Sequence, residues 1–552
     1  MKKDKRKIEG ITLIALVITI IVLLILAGVT IAGLSGENGI LARAKEAKRK
    51  TTEANQQENL MLQEIEGIMS DNFDGTSGGN FNDSKKVNAP RISQGMIPIK
   101  FNGKNWVICS ESDTEWYNYD TKKWANIMLS DGTYKDKSQV GQVVEDKDLG
   151  SMFVWIPRYA YSINKYKTPV GGDGNGLEGE GTSQNITKVV FLQGRTNSDG
   201  VTEYPTDYNQ ASVLPGKPTP MIVHPAFTFG DSQLPGIWSA KFEASMAEVN
   251  NNTINNNNVN NKTIKVLPNK NTWRYICIGN VFDNCLNMRN NAIYGLSADI
   301  DSHLMKNNEW GAVSYFTVSQ YGVTPTFNSK CDKINVPNGL DWEGYSEYSA
   351  GSNVSGEYKI NITQSSTGNE TGIYDLNGGA WEYVAAYWDN ENGNLSGQGT
   401  NKFFTLNKLK SGFAKYWDKY EVSQEEIKCN KDGLWNADKS RNQDRMNITK
   451  ARYDKMANIK GDGMYEVINT YSYYGKNDKN EYNWGISKEY KDSEHGRTFY
   501  NSDCCLFGHC NLPFLFRGGS WWYGIGSGLF ASNGYYGYAA ATAAFRPVLV
   551  LF

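Results

Sequence analysis

The residues with the most reactive chemistry cluster near the C-terminus. Cys504, Cys505, His509 and Cys510 fall within seven residues, a set that could in principle ligate zinc. Their spacing matches no common zinc site, and adjacent cysteines rarely serve one ion. A disulfide to Cys331 or Cys429 and plain buried thiols remain the open alternatives. The chain has four histidines, His224, His303, His495 and His509, too few and too scattered for a multi-histidine metal centre. The acidic pairs Asp299/Asp301 and Glu382/Asp389 do not have calcium-loop spacing. No catalytic residue, metal ligand or cofactor is therefore assigned. A different chemistry stands out just beyond the cysteines. From Gly518 to Phe545 the chain carries no charge and is dominated by Gly, Ala, Ser, Tyr, Thr and Asn. A core would need Leu, Ile and Val here, and a helix Lys, Glu and Gln. Rigid amphipathic rings among small polar groups are instead the chemistry of a binding surface.

The elements that must position this stretch are spread over a long chain. With 552 residues it exceeds one core, and a net charge of -2 gives no basic field for nucleic acid. High Gly (55), Tyr (32) and Trp (15) counts favour strands and loops over helices. The eight cysteines are too sparse for a disulfide framework.

Five basic residues, Lys2, Lys3, Lys5, Arg6 and Lys7, precede an uncharged apolar run from Ile11 to Leu34. As a helix it reaches roughly 36 Å, enough to cross a bilayer. The flanking charge predicts a cytoplasmic N-terminus and an exported C-terminal bulk, although a second basic cluster, Arg43 to Lys50, follows the span. Lys7-Ile8-Glu9-Gly10-Ile11-Thr12-Leu13-Ile14 resembles the signal of type IV prepilins. That resemblance implies a leader at 1–10, a membrane peptidase as processing partner, and cleavage after Gly10 to expose Ile11. Ala15 stands where that family usually has the Glu used in filament assembly. Residues 35–69 read as a helical stalk and 70–90 as a polar, Gly-rich linker. Residues 91–140 read as a small aromatic β module. Its hairpin is Met96–Phe101, Asn102-Gly103, Asn105–Cys109, and Trp106, Trp116 and Trp124 are its packing units.

From 150 to 552 a series of blocks appears in order: VWIPR (154–158), IWSAKFE (237–243), EWGAVSYF (309–316), GIYDLNGGAWEY (372–383), FRGGSW (516–521) and FRPVL (545–549). Together they resemble the formylglycine-generating-enzyme branch of the C-type-lectin-like fold. The resemblance implies an α+β roll of short twisted strands with few helices. The stretches 246–270 and 390–500 read as surface insertions. The second is charged and Tyr-rich, with short helices expected around 406–419 and 440–458.

Enzymes of that branch bind copper through a cysteine pair between the RGGS and GFR blocks, and Trp521 to Ala544 contains no cysteine. Sulfoxide-forming relatives use an iron site rich in histidine, which this chain lacks. A third branch comprises the variable proteins of diversity-generating retroelements. There an error-prone copy replaces adenines in Asn codons such as AAC, and codons ending in C cannot encode Lys, Glu, Gln, Met or Trp. None of those five types occurs from Tyr523 to Ala543. The resemblance implies a surface-displayed adhesin-like or receptor-like protein that is not an enzyme. Its ligand would be an external protein, glycan or phage surface. The expected contacts are Trp522, Tyr523, Ile525, Ser527, Ser532, Asn533, Tyr535, Tyr536, Tyr538 and Thr542, with Trp522 a fixed residue at the edge. Gly528-Leu529-Phe530-Ala531 are expected to face the core, and Arg517, Trp521, Trp381 and Arg546 to be scaffold. A formylglycine-type enzyme and a pilin-like structural subunit are the competing readings.

Overall fold

The computed structural model describes residues 87–163, 187–193, 204–207, 219–247, 261–270, 272–323, 358–359, 362–389, 412–421, 459–476, 482–487, 495–498, 504–506, 512–520 and 527–552. The chain divides into two units, Met1–Gly79 and Asn80–Phe552. The leader, the apolar run with Gly10 and Ile11, and the stalk all lie outside the described residues. Among the described residues no helix is long and apolar enough to cross a membrane.

The second unit is an α+β structure in which strands dominate. β1 (Met96–Phe101) and β2 (Trp106–Ile108) form the hairpin that the Asn-Gly turn predicts. Asn102 Oδ1 accepts from the Lys104 and Asn105 amides, and Gly103 takes the positive φ that the reversal requires. β3 (Asn126–Leu129) pairs with β1, and β4 (Val143–Val144) with β2. β5 (Met152–Pro157) then pairs with β3, so these strands do not form a separate module. They are half of one eight-stranded antiparallel sheet and share its core. The expected 91–140 module is corrected accordingly. Its Trp side chains are buried as packing units; the Trp116 indole N–H stays within the segment, on Asn126 O at 2.8 Å, but two others reach well beyond it. Trp106 donates to Tyr358 Oη at 2.7 Å and Trp124 to Tyr321 O at 2.8 Å.

β6 (Tyr159–Ile163), β7 (Thr187–Phe191) and β8 (Ile222–Val223) make a three-stranded sheet. β9 (Thr228–Phe229) pairs with β10 (Ser232–Gln233), and β11 (Gly236–Ala240) returns to the large sheet beside β5. β12 (Ser245–Met246) pairs with β13 (Ile264–Lys265) across the Asn-rich tract. Ile264 and Val266 are fully buried, so the far end of the expected 246–270 insertion belongs to the core.

Helix α1 (Ile278–Asn287) precedes β14 (Ile300–Leu304). Helix α2 (Asn307–Thr317) follows and is buried on all sides but for half-exposed Asn308. Its only charge, Glu309, turns back to accept from the Lys306 amide at 2.8 Å and pairs with buried His303 at 3.0 Å. A helix this poor in charge must lie inside, and its one acid is consumed in capping its own first turn.

The remaining strands build a second sheet. β15 (Trp381–Asp389) pairs in parallel with β16 (Asp418–Glu421) through its last residues. β17 (Ile468–Lys476), β18 (Tyr482–Ser487), β19 (His495–Thr498) and β20 (Cys504–Leu506) extend the sheet. β21 (Phe514–Gly518) and β22 (Gly528–Tyr535) lie between β15 and β20. β23 (Ala543–Phe545) runs parallel to the start of β15. β24 (Pro547–Leu551) then crosses to the first sheet and sits between β11 and β14. The last forty residues thus join both sheets.

The expected 390–500 surface insertion is also corrected. Residues 418–421, 468–476, 482–487 and 495–498 contribute strands, and within 459–467 Met464 and Val467 pack into the core. Gly311 of α2 lies so close to this segment that a Cβ there would sit 1.8 Å from Gly461 O. The segment reads as polar because its charged groups find partners far away in sequence. Glu466 accepts from the Tyr161 hydroxyl at 2.9 Å, the Tyr315 hydroxyl at 2.8 Å and the Gly461 amide at 2.8 Å. Of the helices expected there, Ala414–Tyr416 is one 3-10 turn leading into β16, and 440–458 lies outside the described residues.

Candidate binding face

The C-terminal stretch is positioned by β21 and β22, whose register sets Phe514 opposite Tyr535 and Arg517 opposite Ser532. Two buried arginines fix this frame. Arg517 donates from Nε to Ala531 O (3.1 Å), from Nη1 to Asn307 Oδ1 (2.8 Å) and Asp462 O (2.7 Å), and from Nη2 to Gly463 O (2.9 Å). It thereby ties β21 and β22 to α2 and to the 459–467 segment. Arg546, between β23 and β24, holds Glu382 of β15 with two contacts, 3.0 and 2.6 Å, and also binds Ala240 O and Tyr374 O. The planar guanidinium suits such a bidentate buried pair. Nearby, burial and the charges of Asp375 and Glu382 push the Glu243 carboxyl well above the usual range. Its carboxyl accepts from the Ala380 amide at 3.2 Å.

Within this frame the described contact candidates fall into two groups. Leu529, Phe530 and Ala531 are fully buried, as their apolar character predicts. Ser527 and Ser532 are buried as well, and stand with the scaffold rather than on the face. Ser527 Oγ donates to Ser520 O at 2.8 Å, and Ser532 lies on a strand flanked by β21 and β20. The Leu529 carbonyl is held from α2 by the Trp310 indole N–H at 2.7 Å. Asn533, Tyr535, Tyr536, Tyr538 and Thr542 are half-exposed. Trp522, Tyr523 and Ile525 lie outside the described residues, as does the scaffold candidate Trp521.

The exposed tyrosines form an ordered aromatic strip. Tyr535 stacks on Phe516 with centroids 4.6 Å apart, and Tyr536 meets it edge-on at 5.9 Å. Tyr536 and Tyr538 are stacked at 5.3 Å with planes 20° apart. Partial burial and the neighbouring hydroxyls raise the Tyr535 phenol above its ordinary value.

The segment from Gly537 to Thr542 is anchored almost wholly through its carbonyls. Gly537 O accepts from the Ile278 amide (3.2 Å), one of the donors left without an intrahelical partner at the start of α1. Tyr538 O accepts from the Tyr383 hydroxyl at 2.6 Å, and burial pushes that phenol well above its ordinary range, so it remains a donor. Ala540 O accepts from the Tyr275 amide (3.0 Å), Ala541 O from Arg274 Nη1 (2.8 Å) and Thr542 O from the Trp381 amide (2.7 Å). Every one of these donors belongs to an element outside the stretch. The loop path is consequently set by main-chain bonds, which are indifferent to the side chains displayed. One position is excepted. Gly537 has φ +86, and a Cβ there would lie 2.7 Å from the Phe514 ring. Arg274, Tyr275 and Tyr383 carried no signal of this role in the sequence.

The reactive groups fare differently. Cys109, Cys277 and Cys285 are buried thiols outside any disulfide, and burial pushes the Cys109 thiol up to about 12. The side chains of Cys504 and Cys505, and all of Cys331, Cys429, His509 and Cys510, lie outside the described residues. His303 is paired with Glu309, and His224 is buried among Tyr159, Tyr161, Phe227 and Tyr315. Asp301 Oδ2 is held by Arg289 (2.8 Å), Lys415 (3.2 Å) and the Tyr416 hydroxyl (2.7 Å), and Asp389 is paired with Lys419 (2.7 Å). Among the described residues no group of three or more His, Cys, Asp or Glu is placed to hold a metal ion. No protein-family model matches this chain, and no curated protein matches it.

Proposed function

We propose that this is a surface-displayed ligand-binding protein whose C-terminal domain has a C-type-lectin-like fold and presents a diversified contact face. The observation that carries the reading is a main chain held independently of the half-exposed side chains: the β21–β22 pairing fixes Asn533 and Tyr535, and the carbonyl bonds of Gly537 to Thr542 fix the run of Tyr536, Tyr538 and Thr542. A site meant to change its side chains without refolding needs its backbone held by bonds that survive every substitution. Tyrosine supplies large contact area at low conformational-entropy cost, and Ser, Gly, Ala and Asn supply fit. The residue types from Tyr523 to Ala543 are those an adenine-mutagenised, Asn-rich template yields. Tyr523 and Ile525 belong to the same proposed set, with Trp522 as a fixed contact at its edge. Ser527 and Ser532 are assigned to the framework.

The N-terminal apolar run supports anchoring in a membrane with the C-terminal bulk outside the cell. A prepilin peptidase acting between Gly10 and Ile11 is the proposed processing partner. A formylglycine-type oxidase is disfavoured because Trp521 to Ala544 has no thiol to ligate copper. Sequencing the genomic neighbourhood tests diversification directly. The expected result is a near-copy of the 3′ end of this gene, differing only at adenines, beside a reverse-transcriptase gene. A neighbourhood with neither would leave a fixed adhesin and remove the diversification claim.

A further inference from the structure

Segment 272–278 runs alongside the anchored loop and supplies three of its bonds, from Arg274, Tyr275 and Ile278. Every residue from Thr272 to Phe282 is buried except Tyr275, which is half-exposed. Tyr275 also has φ +56. The other non-glycine residues with positive φ among those described are Lys122, Asn261, Asn269 and Asp375. Asn and Asp tolerate this region through local hydrogen bonds, whereas a bulky aromatic residue there is an outlier that costs about 1–2 kcal/mol. The reversal does serve the fold, because it brings the Tyr275 amide to Ala540 O. Glycine would make the same bond without the penalty. The half-exposed tyrosine ring makes no hydrogen bond or ring contact among the described residues that would call for an aromatic at this angle. Strain of this kind persists where the side chain has work to do.

We infer that Tyr275 is a fixed aromatic contact of the binding face, contributed by the scaffold beside the C-terminal stretch. This rests on the binding reading above and adds to it a contact that diversification of the 3′ end would never reach. The face it completes has no charged side chain from Gly518 to Phe545, and Arg274 beside it is buried with its guanidinium on Ala541 O. The ligand class that fits is a surface of low charge presenting planar or apolar groups to the rings of Tyr275, Tyr536 and Tyr538. Tyr275 would act as the constant ring against which variable neighbours set specificity.

The test uses the full chain and, as probe, a peptide selected on it from a random displayed library. Tyr275→Ala, Tyr536→Ser and Tyr538→Ser are each expected to weaken peptide binding by about ten-fold or more, as truncation of a central aromatic contact does. Tyr275→Gly is expected to lose binding equally, because the ring and not the backbone makes the contact. If Tyr536→Ser and Tyr538→Ser weaken binding but both Tyr275 variants retain it, the inference fails and the binding face stands without Tyr275. If none of the substitutions changes binding, the face itself is refuted, and Tyr275 with it.

Discussion

Gly537 offers the sharpest test of how the loop is held. It sits between two displayed tyrosines, yet the structure makes it the one position in that run that cannot change. Its φ of +86 is a backbone region that L side chains rarely adopt. An alanine there carries a penalty of about 1–2 kcal/mol from that conformation alone. The added methyl would also meet the Phe514 ring at 2.7 and 2.8 Å and Ile278 Cγ2 at 3.0 Å. Both neighbours are fully buried, so neither can simply swing away. Overpacking of this sort costs about 1–3 kcal/mol. Gly537→Ala should therefore destabilise the protein by about 2–5 kcal/mol. By contrast, Asn533→Ser and Thr542→Asn alter half-exposed side chains above an intact set of carbonyl bonds, and each should stay within about 0.5 kcal/mol of wild type. Equilibrium unfolding in urea, followed by tryptophan fluorescence, measures all three. A Gly537→Ala variant as stable as wild type, or an equal loss from Asn533→Ser and Thr542→Asn, would refute the reasoning.

Three further outcomes follow from the geometry. Arg546→Met leaves the fully buried Glu382 without its partner and should cost about 3–5 kcal/mol by the same unfolding assay, and Arg546→Lys should not restore the bidentate hold. Burial lowers the His224 imidazole to about 3. The unfolded chain takes up that proton near pH 6.5 and the folded chain does not, so stability should fall as pH drops from about 6.5 toward 3, by up to about 5 kcal/mol from this group. His224→Phe should flatten the pH–stability curve in that window. Finally, a face without charge should bind with little salt dependence. The affinity of a bound probe should change less than about two-fold between about 0.05 and 0.5 M NaCl, measured by calorimetry.

What the sequence made legible was mostly local. The Asn102-Gly103 turn predicts the hairpin, the apolar run at 152–157 is β5, and the charge-poor 307–317 stretch is a buried helix. The ends of the C-terminal stretch were readable for the same reason, since Val548, Leu549 and Val550 can only be core. Features that depend on distant partners were not readable. Residues 91–140 looked self-contained because their pairing with β5, and through it β11, joins segments far apart in sequence. Residues 459–467 looked like surface because Asp462 and Glu466 are charged residue types. Burial and the neighbouring Glu466 push Asp462 up to about 7, and Tyr161, Tyr315 and Tyr420 satisfy the pair from elsewhere. Ser527 and Ser532 share the composition of the face; the strand order of β20, β22 and β21 puts Ser532 inside, and Ser527 turns back onto Ser520 O just before β22. Tyr275 was invisible because its meaning lies in a backbone angle and in one bond to Ala540.

The central claim is that a fixed frame displays changeable side chains at the C-terminus. Sequencing this gene from many cells of one population tests it most directly. Substitutions are expected to concentrate at Tyr523, Ile525, Asn533, Tyr535, Tyr536, Tyr538 and Thr542. Arg517, Leu529, Phe530, Ala531, Gly537 and Arg546 are expected to stay unchanged. Identical C-terminal sequences in every cell, or substitutions spread evenly across framework and face, would contradict the claim.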